Sequence, residues 1–485
     1  MGHVEVERKF DVTDDAVCPS LEGHALIAAS LRLPTQTLEA VYYDTARHDL
    51  SAHRVALRRR TGGSDEGWHL KLPSAGPGAR AEARTEVHAP LGAEVPTELR
   101  DTVAAIVRDR PLVPVARIRN RRDVTVLSDH DGTTLAEFCD DRVTASRLNP
   151  VDGHVEQEQR WREWELELAD PTTADADELL DRLTDQILAA GAHRAAHSSK
   201  LAKILGDTGA TTPRPADPVH RAVAEQVERL LESDRAVRAD AHDAVHQMRV
   251  ATRQIRSLLQ ASEDAFGLTD DAWVLSELRE LAAILGVARD AEVLAQRYQQ
   301  ALDSLAPELI VGPVRERLVD GAHRRYREGL RRSLAAMRSP RYFRLLDTLD
   351  TLVVSTPSRD SGEHTTLDSS YRKVRKAVKS ARHAQGALRD HALHQVRKAS
   401  KRLRYVAAAT GAAEVEKHSK EIQTLLGDHQ DSVVSREHLL EQAGAARGAG
   451  EDTFTYGVLH RMESELATRC EDRLDAALKA LRRAM

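Results

Sequence analysis

Through most of the first 206 residues apolar and polar positions alternate one for one, and beyond residue 218 the period lengthens to three or four. The segments HVEVERKF, LEAVYYDT, VALRRR, WHLKLP, ARTEVH, VARIRNRRDVTVL, TLAEFCDD and REWELEL each place apolar side chains on one face and charged ones on the other, as half-buried strands do. Turn sequences such as TGGSDEG and SAGPG separate them, and helices are predicted near 97–109 and 174–190. GDTGATTPRPADP reads as a linker, and STPSRDSGEHTT divides the helical part. The pattern predicts an α+β multidomain chain, with strands over 1–206, a linker at 207–218 and an all-α domain over 219–485. The helical domain divides again into units of about 219–354 and 367–485.

Charge sharpens this picture. The net charge of −6 conceals an acidic first part, with 26 Lys and Arg against 35 Asp and Glu in 1–206, and a balanced remainder, 44 against 41. An acidic domain argues against nonspecific nucleic-acid binding there and suits a site for divalent metals. Cys18, Cys139 and Cys470 are widely spaced and form neither a disulfide framework nor a zinc motif, which fits a reducing cytosol. No apolar run approaches a membrane span, and MGHVEVERKF begins directly on a strand, so a cytoplasmic protein without membrane contact is expected.

On the strands, Glu5, Glu7 and Lys9 share a face, as do Arg58 and Arg60, His69 and Lys71, Arg84 and Glu86, and Glu165 and Glu167. Arg117, Arg119 and Arg121 alternate along another strand. One such face is ordinarily solvated. Six or more would pool their charges in a lumen if the sheet closed into a barrel, with the apolar faces packed outward against helices. Carboxylates in such a lumen call for Mg²⁺ or Mn²⁺, and Arg and Lys call for phosphate oxygens. A metal–triphosphate complex satisfies both sets.

The helical part repeats itself: AVHQMRVATRQIRSLL (244–259) matches ALHQVRKASKRLRYVA (392–407), and LGVARDAEV (285–293) matches LGDHQDSVV (426–434). His246, Arg249, Arg253 and Arg256 follow helical spacing, and His394, Arg397, Lys401 and Arg404 reproduce it. Each stripe borders an apolar one, so it flanks the core, and its like charges repel along the helix unless a counterion joins them. The second copy adds Lys398 and Arg402 where the first has Val250 and Gln254. A further basic run at 371–382 carries Arg372, Arg375, Lys376 and Lys379. Aromatic residues are few and no recognition-helix pattern is present, so no specific nucleic acid is expected.

ExExK at Glu5–Lys9, YYDT, LRRR, the Lys71 strand, RTE at 84–86 and ELEL together resemble a CYTH domain of the triphosphate tunnel metalloenzymes. That resemblance implies an eight-stranded antiparallel tunnel with flanking helices. It implies Glu5, Glu7, Glu137, Asp141, Glu165 and Glu167 as metal ligands, with Glu5, Glu7 and Lys9 catalytic. Lys9, Arg58, Arg60, Lys71, Arg84 and Lys200 would bind phosphate, joined by one or two of Arg119, Arg121 and Arg122. Alternation favours Arg119 and Arg121, while the likeness of the segment also admits Arg122.

The helical part resembles a CHAD domain, which implies a pair of pseudo-symmetric four-helix bundles that bind inorganic polyphosphate. The two stripes, the run at 372–379, Lys398, Arg402 and Tyr405 would form that surface. Asp290 and Asp431 are expected to brace helices rather than touch the anion. The expected function is metal-dependent hydrolysis of inorganic triphosphate with polyphosphate capture, in a cytoplasmic protein associated with polyphosphate granules. The alternatives are a binding protein without turnover and a thiamine or nucleoside triphosphatase, for which Tyr42, Tyr43 and Trp68 are the candidate stacking residues.

Overall fold

A computed structural model describes the chain except residues 1–2, 22–25, 74–82, 174, 207–214, 216, 262–265, 270–271 and 355–366. Most of the expected linker and all of the dividing loop therefore fall outside the described residues. The chain forms two compact units, one of residues 1–244 with 337–354 and one of residues 245–336 with 355–485.

In the first unit, alternation has become sheet. The strands are β1 (His3–Val12), β2 (Ala29–Arg32), β3 (Gln36–Asp44), β4 (Ala56–Thr61), β5 (Gly67–Pro73), β6 (Ala83–Ala89), β7 (Val113–Ser128), β8 (Thr134–Leu148), β9 (Val155–Leu168) and β10 (His193–Arg194). Eight of them run antiparallel in the order β1-β6-β5-β4-β3-β7-β8-β9, and the pairing of β9 with β1 closes the ring. β2 adds to β7 and β10 to β1. The β4–β5 hairpin turns on Gly62 at φ +80°, where a Cβ would stand 2.2 Å from the Thr37 carbonyl oxygen, so only glycine fits.

Apolar outer faces are covered by helices. Phe10, Trp164 and Leu166 pack against Leu179, Leu183 and Ile187 of helix Ala176–Ala189. Leu57, Trp68 and Leu70 pack against Leu99, Val103 and Ile106. The helix expected over 97–109 is there broken at Val103 into Thr97–Thr102 and Ala104–Val107. Helix Lys200–Leu205 instead packs on inward residues: Leu201, Ile204 and Leu205 join Ala40, Tyr42, Ile118 and Ala145. Helices Pro218–Arg238 and Pro340–Val354 belong to the same unit. They meet the barrel through ion pairs of Arg108 with Asp347 and Asp350, and of Arg238 and Arg338 with Asp101.

The second unit is helical. It includes Ala244–Ala261 from Val245 onward, Trp273–Asp303, Leu367–His383, Ala387–Ala409, Ala413–Gly448 and Phe454–Ala484. Tyr298, Leu302, Leu439, Tyr456 and Leu459 build one core, and Val374, Leu403, Ile422, Leu425 and Leu481 another. Among the described residues, no helix is long and apolar enough to cross a membrane. All three cysteines are free.

Candidate functional site: a charged tunnel and a cationic helix pair

Closing the ring turns the charged strand faces into one cavity of about 320 Å³. Glu5, Glu7, Lys9, Arg58, Arg60, Lys71, Glu86, Arg122, Glu137, Glu165, Glu167 and Lys200 all line it. Cross-strand register explains the grouping. Glu7 pairs with Glu167 and Glu167 with Glu137, so three carboxylates stand in a row across β1, β9 and β8. The next row inward sets Lys9 beside Glu165. Like charges directly opposite one another are unfavourable without a counterion.

Protonation behaviour follows from this crowding. Burial and the facing Glu7 push the Glu167 carboxyl up to about 7. Burial, together with a hydrogen bond to Glu86, pushes Glu5 up to about 8. Burial also works against Glu7, but Lys9, 3.0 Å away, and Lys71 outweigh it and hold Glu7 below the ordinary range. Among the described residues, Glu137 and Glu167 have no hydrogen-bonding or ion-pair partner. Adjacent carboxylates without a partner fit a hard divalent cation.

A second acidic group lies deeper. Oxygens of Asp141, Glu163 and Glu165 lie within 4.8 Å of one another, a spacing that could hold a metal ion. Here the Lys200 ammonium serves them, at 2.8 Å from Asp141 and 2.7 Å from Glu163 and Glu165. Arg122 adds a forked contact to Asp141 and a contact to Glu165. Lys200 is delivered by its helix, whose apolar residues anchor on the barrel and whose start is capped by Ser199 Oγ accepting from the Ala202 amide. Glu163 was not singled out in the sequence. It precedes Glu165 by two residues on the same strand face, so the alternation already contained it.

The cations opposite are positioned by acids in turn. Lys71 contacts Glu5, and Arg58 lies 3.6 Å from Glu86. His69, buried, holds Glu86 at 2.7 Å through Nδ1 and meets the Asp65 carbonyl at 2.9 Å through Nε2. Arg60 pairs with Asp65, and burial next to Arg58 pulls its guanidinium down to about 10. Arg84 is half-buried and feels Glu7, although it is not among the lining residues.

One expectation is corrected. Arg119 and Arg121 are exposed on the outer wall, whereas Arg122 faces the cavity between Asn120 and Val124. Alternation along β7 is as expected, but its phase is opposite: the inward face carries Ile118 and Val124, so charge did not mark the inside on this strand. Of the candidate stacking residues, only Tyr42 lines the cavity. Tyr43 and Trp68 pack on each other, ring centroids 5.0 Å apart, in the outer core.

In the second unit the two stripes converge. Burial first, then Arg253, Arg404 and Arg397, pulls the Lys401 ammonium down to about 7, so charges from both helices crowd one another. Lys401 and Arg404 lie over the Tyr405 ring at 5.7 and 4.9 Å. The Nε atoms of Arg249, Arg253 and Arg256 are buried without a hydrogen-bond partner. His246 and His394 are half-buried beside them. The repeated LGxxxD segments explain how the first arginine of each stripe is held. Gly286 leaves room for Arg249, whose guanidinium lies 3.5 Å from where a Cβ would be, and Asp290 pairs with Arg249 at 2.9 Å. Gly427 leaves the same room for Arg397 at 3.3 Å, with Asp431 nearby in charge. Lys398, Arg402 and the run Arg372, Arg375, Lys376 and Lys379 are exposed.

A closed antiparallel tunnel lined by both carboxylates and cations defines a triphosphate-tunnel protein. Residues 3–195 match the family model of the CYTH domain and residues 221–440 that of the CHAD domain. The chain belongs to the CYTH–CHAD fusion family. It is 58% identical over 506 aligned residues to the uncharacterized protein MT2285 of Mycobacterium tuberculosis (strain CDC 1551 / Oshkosh), with 100% of this chain and 97% of the relative covered. Similar solved structures include PptA from Streptomyces chartreusis, at 19% identity and TM-score 0.45 over 54% of this chain and 98% of that one. The CHAD domain from the plant Ricinus communis aligns at 24% identity and TM-score 0.41 over 54% of this chain and 90% of its own.

Proposed function

We propose that the tunnel hydrolyses inorganic triphosphate with the help of Mg²⁺ or Mn²⁺, and that the convergent helix stripes capture polyphosphate. The observation that carries this reading is a single cavity of about 320 Å³ in which an acidic row faces a basic cluster. Arg58, Arg60 and Lys71 would bind phosphate oxygens on one side, with Arg122 and Lys200 on the other. Glu5, Glu7, Glu137 and Glu167 would hold the metal, with Asp141 and Glu165 as the deeper acids. The bound ion would supply charge neutralisation for the phosphate chain and a lowered pKa for water. Lys9 keeps Glu7 and Glu165 ionised and aligned, and a carboxylate of the Glu7–Glu167 row accepts the proton of the attacking water. Catalysis is then electrostatic positioning, with no covalent intermediate. A base-free substrate is favoured because Tyr42 alone of the candidate stackers lines the cavity.

The test is phosphate release from tripolyphosphate, ATP, thiamine triphosphate and long-chain polyphosphate, with metal and with chelator. Metal-dependent preference for tripolyphosphate is expected, abolished in Glu5→Ala and Lys9→Ala. No release from any substrate, with long chains still bound, would leave a binding protein only.

A further inference from the structure

The arginines that the tunnel left outside form a surface of their own. Arg117, Arg119 and Arg121 project from successive outward positions of β7. Across the β7–β8 pair, Arg121 stands directly opposite Arg142, and Arg119 opposite Thr144, which in turn faces Arg160 on β9. All five arginines are exposed; the side chains of Arg117, Arg119 and Arg160 keep 56%, 65% and 76% of their surface open. They lie on the domain whose charge is otherwise strongly acidic.

Counterions border this face: Asp123, two residues beyond Arg121 on β7, feels the Arg121 charge but is engaged by Thr35 and, at 3.3 Å, by Arg32. Glu39 is 3.9 Å from both Arg117 and Arg119, and Glu158 takes Arg160 at 3.0 Å. Among the described residues, Arg121 and Arg142 have no ion-pair partner, although like charges opposite one another destabilise a sheet. The β8 residues opposite Arg119 and Arg117, Thr144 and Ser146, are small hydroxyl donors. No aromatic ring interrupts the arginines on β7 and β8, so nothing there stacks a base. Arginine forks and hydroxyls on an exposed barrel wall match phosphate oxygens.

We propose that the outer wall formed by β7, β8 and β9 is a second docking track for an extended inorganic polyphosphate chain, separate from the helix stripes. The choice of polyphosphate rests on the proposed function; the surface itself does not. The test uses the full chain and fluorescently labelled long-chain polyphosphate, read by anisotropy at low and moderate salt. Arg119→Ser, Arg121→Ser and Arg142→Ser are combined, in the wild-type background and in one carrying Arg249→Ser, Arg397→Ser and Lys401→Ser. These outer positions are exposed and are not among the residues that line the tunnel, so tripolyphosphate turnover serves as the folding control and is expected unchanged.

Binding that survives the stripe substitutions and then falls about tenfold or more with the outer ones supports the track. Surviving binding that the outer substitutions leave untouched overturns it, as does displacement by polyglutamate or by an oligonucleotide as effective as unlabelled polyphosphate at equal charge. Loss of outer-face binding in a protein that releases no phosphate from any substrate would support the track while refuting the proposed hydrolysis.

Discussion

Gly427 shows how one missing methyl group shapes a binding surface. A Cβ there would stand 3.3 Å from the Arg397 guanidinium. Gly427→Ala is therefore expected to displace Arg397 and weaken polyphosphate binding several-fold, with the helical content seen by circular dichroism kept, because alanine favours helix over glycine by about 1 kcal/mol. Lys401 makes a second prediction at this scale. Its pKa is pulled down to about 7 by burial and then by Arg253, Arg404 and Arg397, against an unfolded value near 10.5. Without ligand, the penalty of the charged form is full below pH 7 and is relieved as pH rises toward 10.5, so this group makes the free protein more stable with rising pH there. A bound polyanion favours the charged form, so binding takes up a proton in the same window and weakens as pH rises through it. Isothermal titration in buffers of different ionisation enthalpy at pH 8 is expected to show that uptake, and Lys401→Gln to remove it.

At the scale of elements, β7 is the informative strand. Alternation was legible in VARIRNRRDVTVL, but which face turns inward was not, because both faces of this strand carry residues that suit either side. Arg122 is set by register, opposite Asp141 on β8. Arg122→Ala is expected to lower tripolyphosphate turnover by about a hundredfold, the cost of losing one preorganised charge donor. Arg119→Ala is expected to leave that turnover unchanged. Steady-state phosphate release from the two variants checks the phase directly. Helix Lys200–Leu205 carries the same lesson: a basic residue near the domain's end was recognisable, but its three carboxylate partners come from β8 and β9.

For the whole molecule, the two charged surfaces divide the work in the proposed function, and their variants should separate. Combined Arg253→Ser and Lys401→Ser is expected to weaken long-chain polyphosphate retention to the level the outer wall of the barrel holds, and to leave tripolyphosphate release intact. Glu167→Ala is expected to do the reverse. Metal should also stabilise the first unit, since it relieves repulsion in the Glu7–Glu167–Glu137 row. A rise in melting temperature on adding Mg²⁺ or Mn²⁺ to the wild type, absent in Glu167→Ala, is the expected result.

The amino-acid sequence by itself determined the elements, the division into a strand-rich and a helical part, and the residue types available for metal and phosphate. Those are local properties: alternation needs only the pleat, and the stripes need only the helical repeat. Tertiary structure decided what depends on closure and register. It put Glu137 beside Glu167, gave Asp141, Glu163 and Glu165 to Lys200 and Arg122, and turned Arg119 and Arg121 outward. It also drew two helices separated by more than a hundred residues together until their cations perturb one another. Neighbours in a barrel wall or between helices are set by long-range packing, and alternation within a strand carries no record of which face the closed ring will enclose.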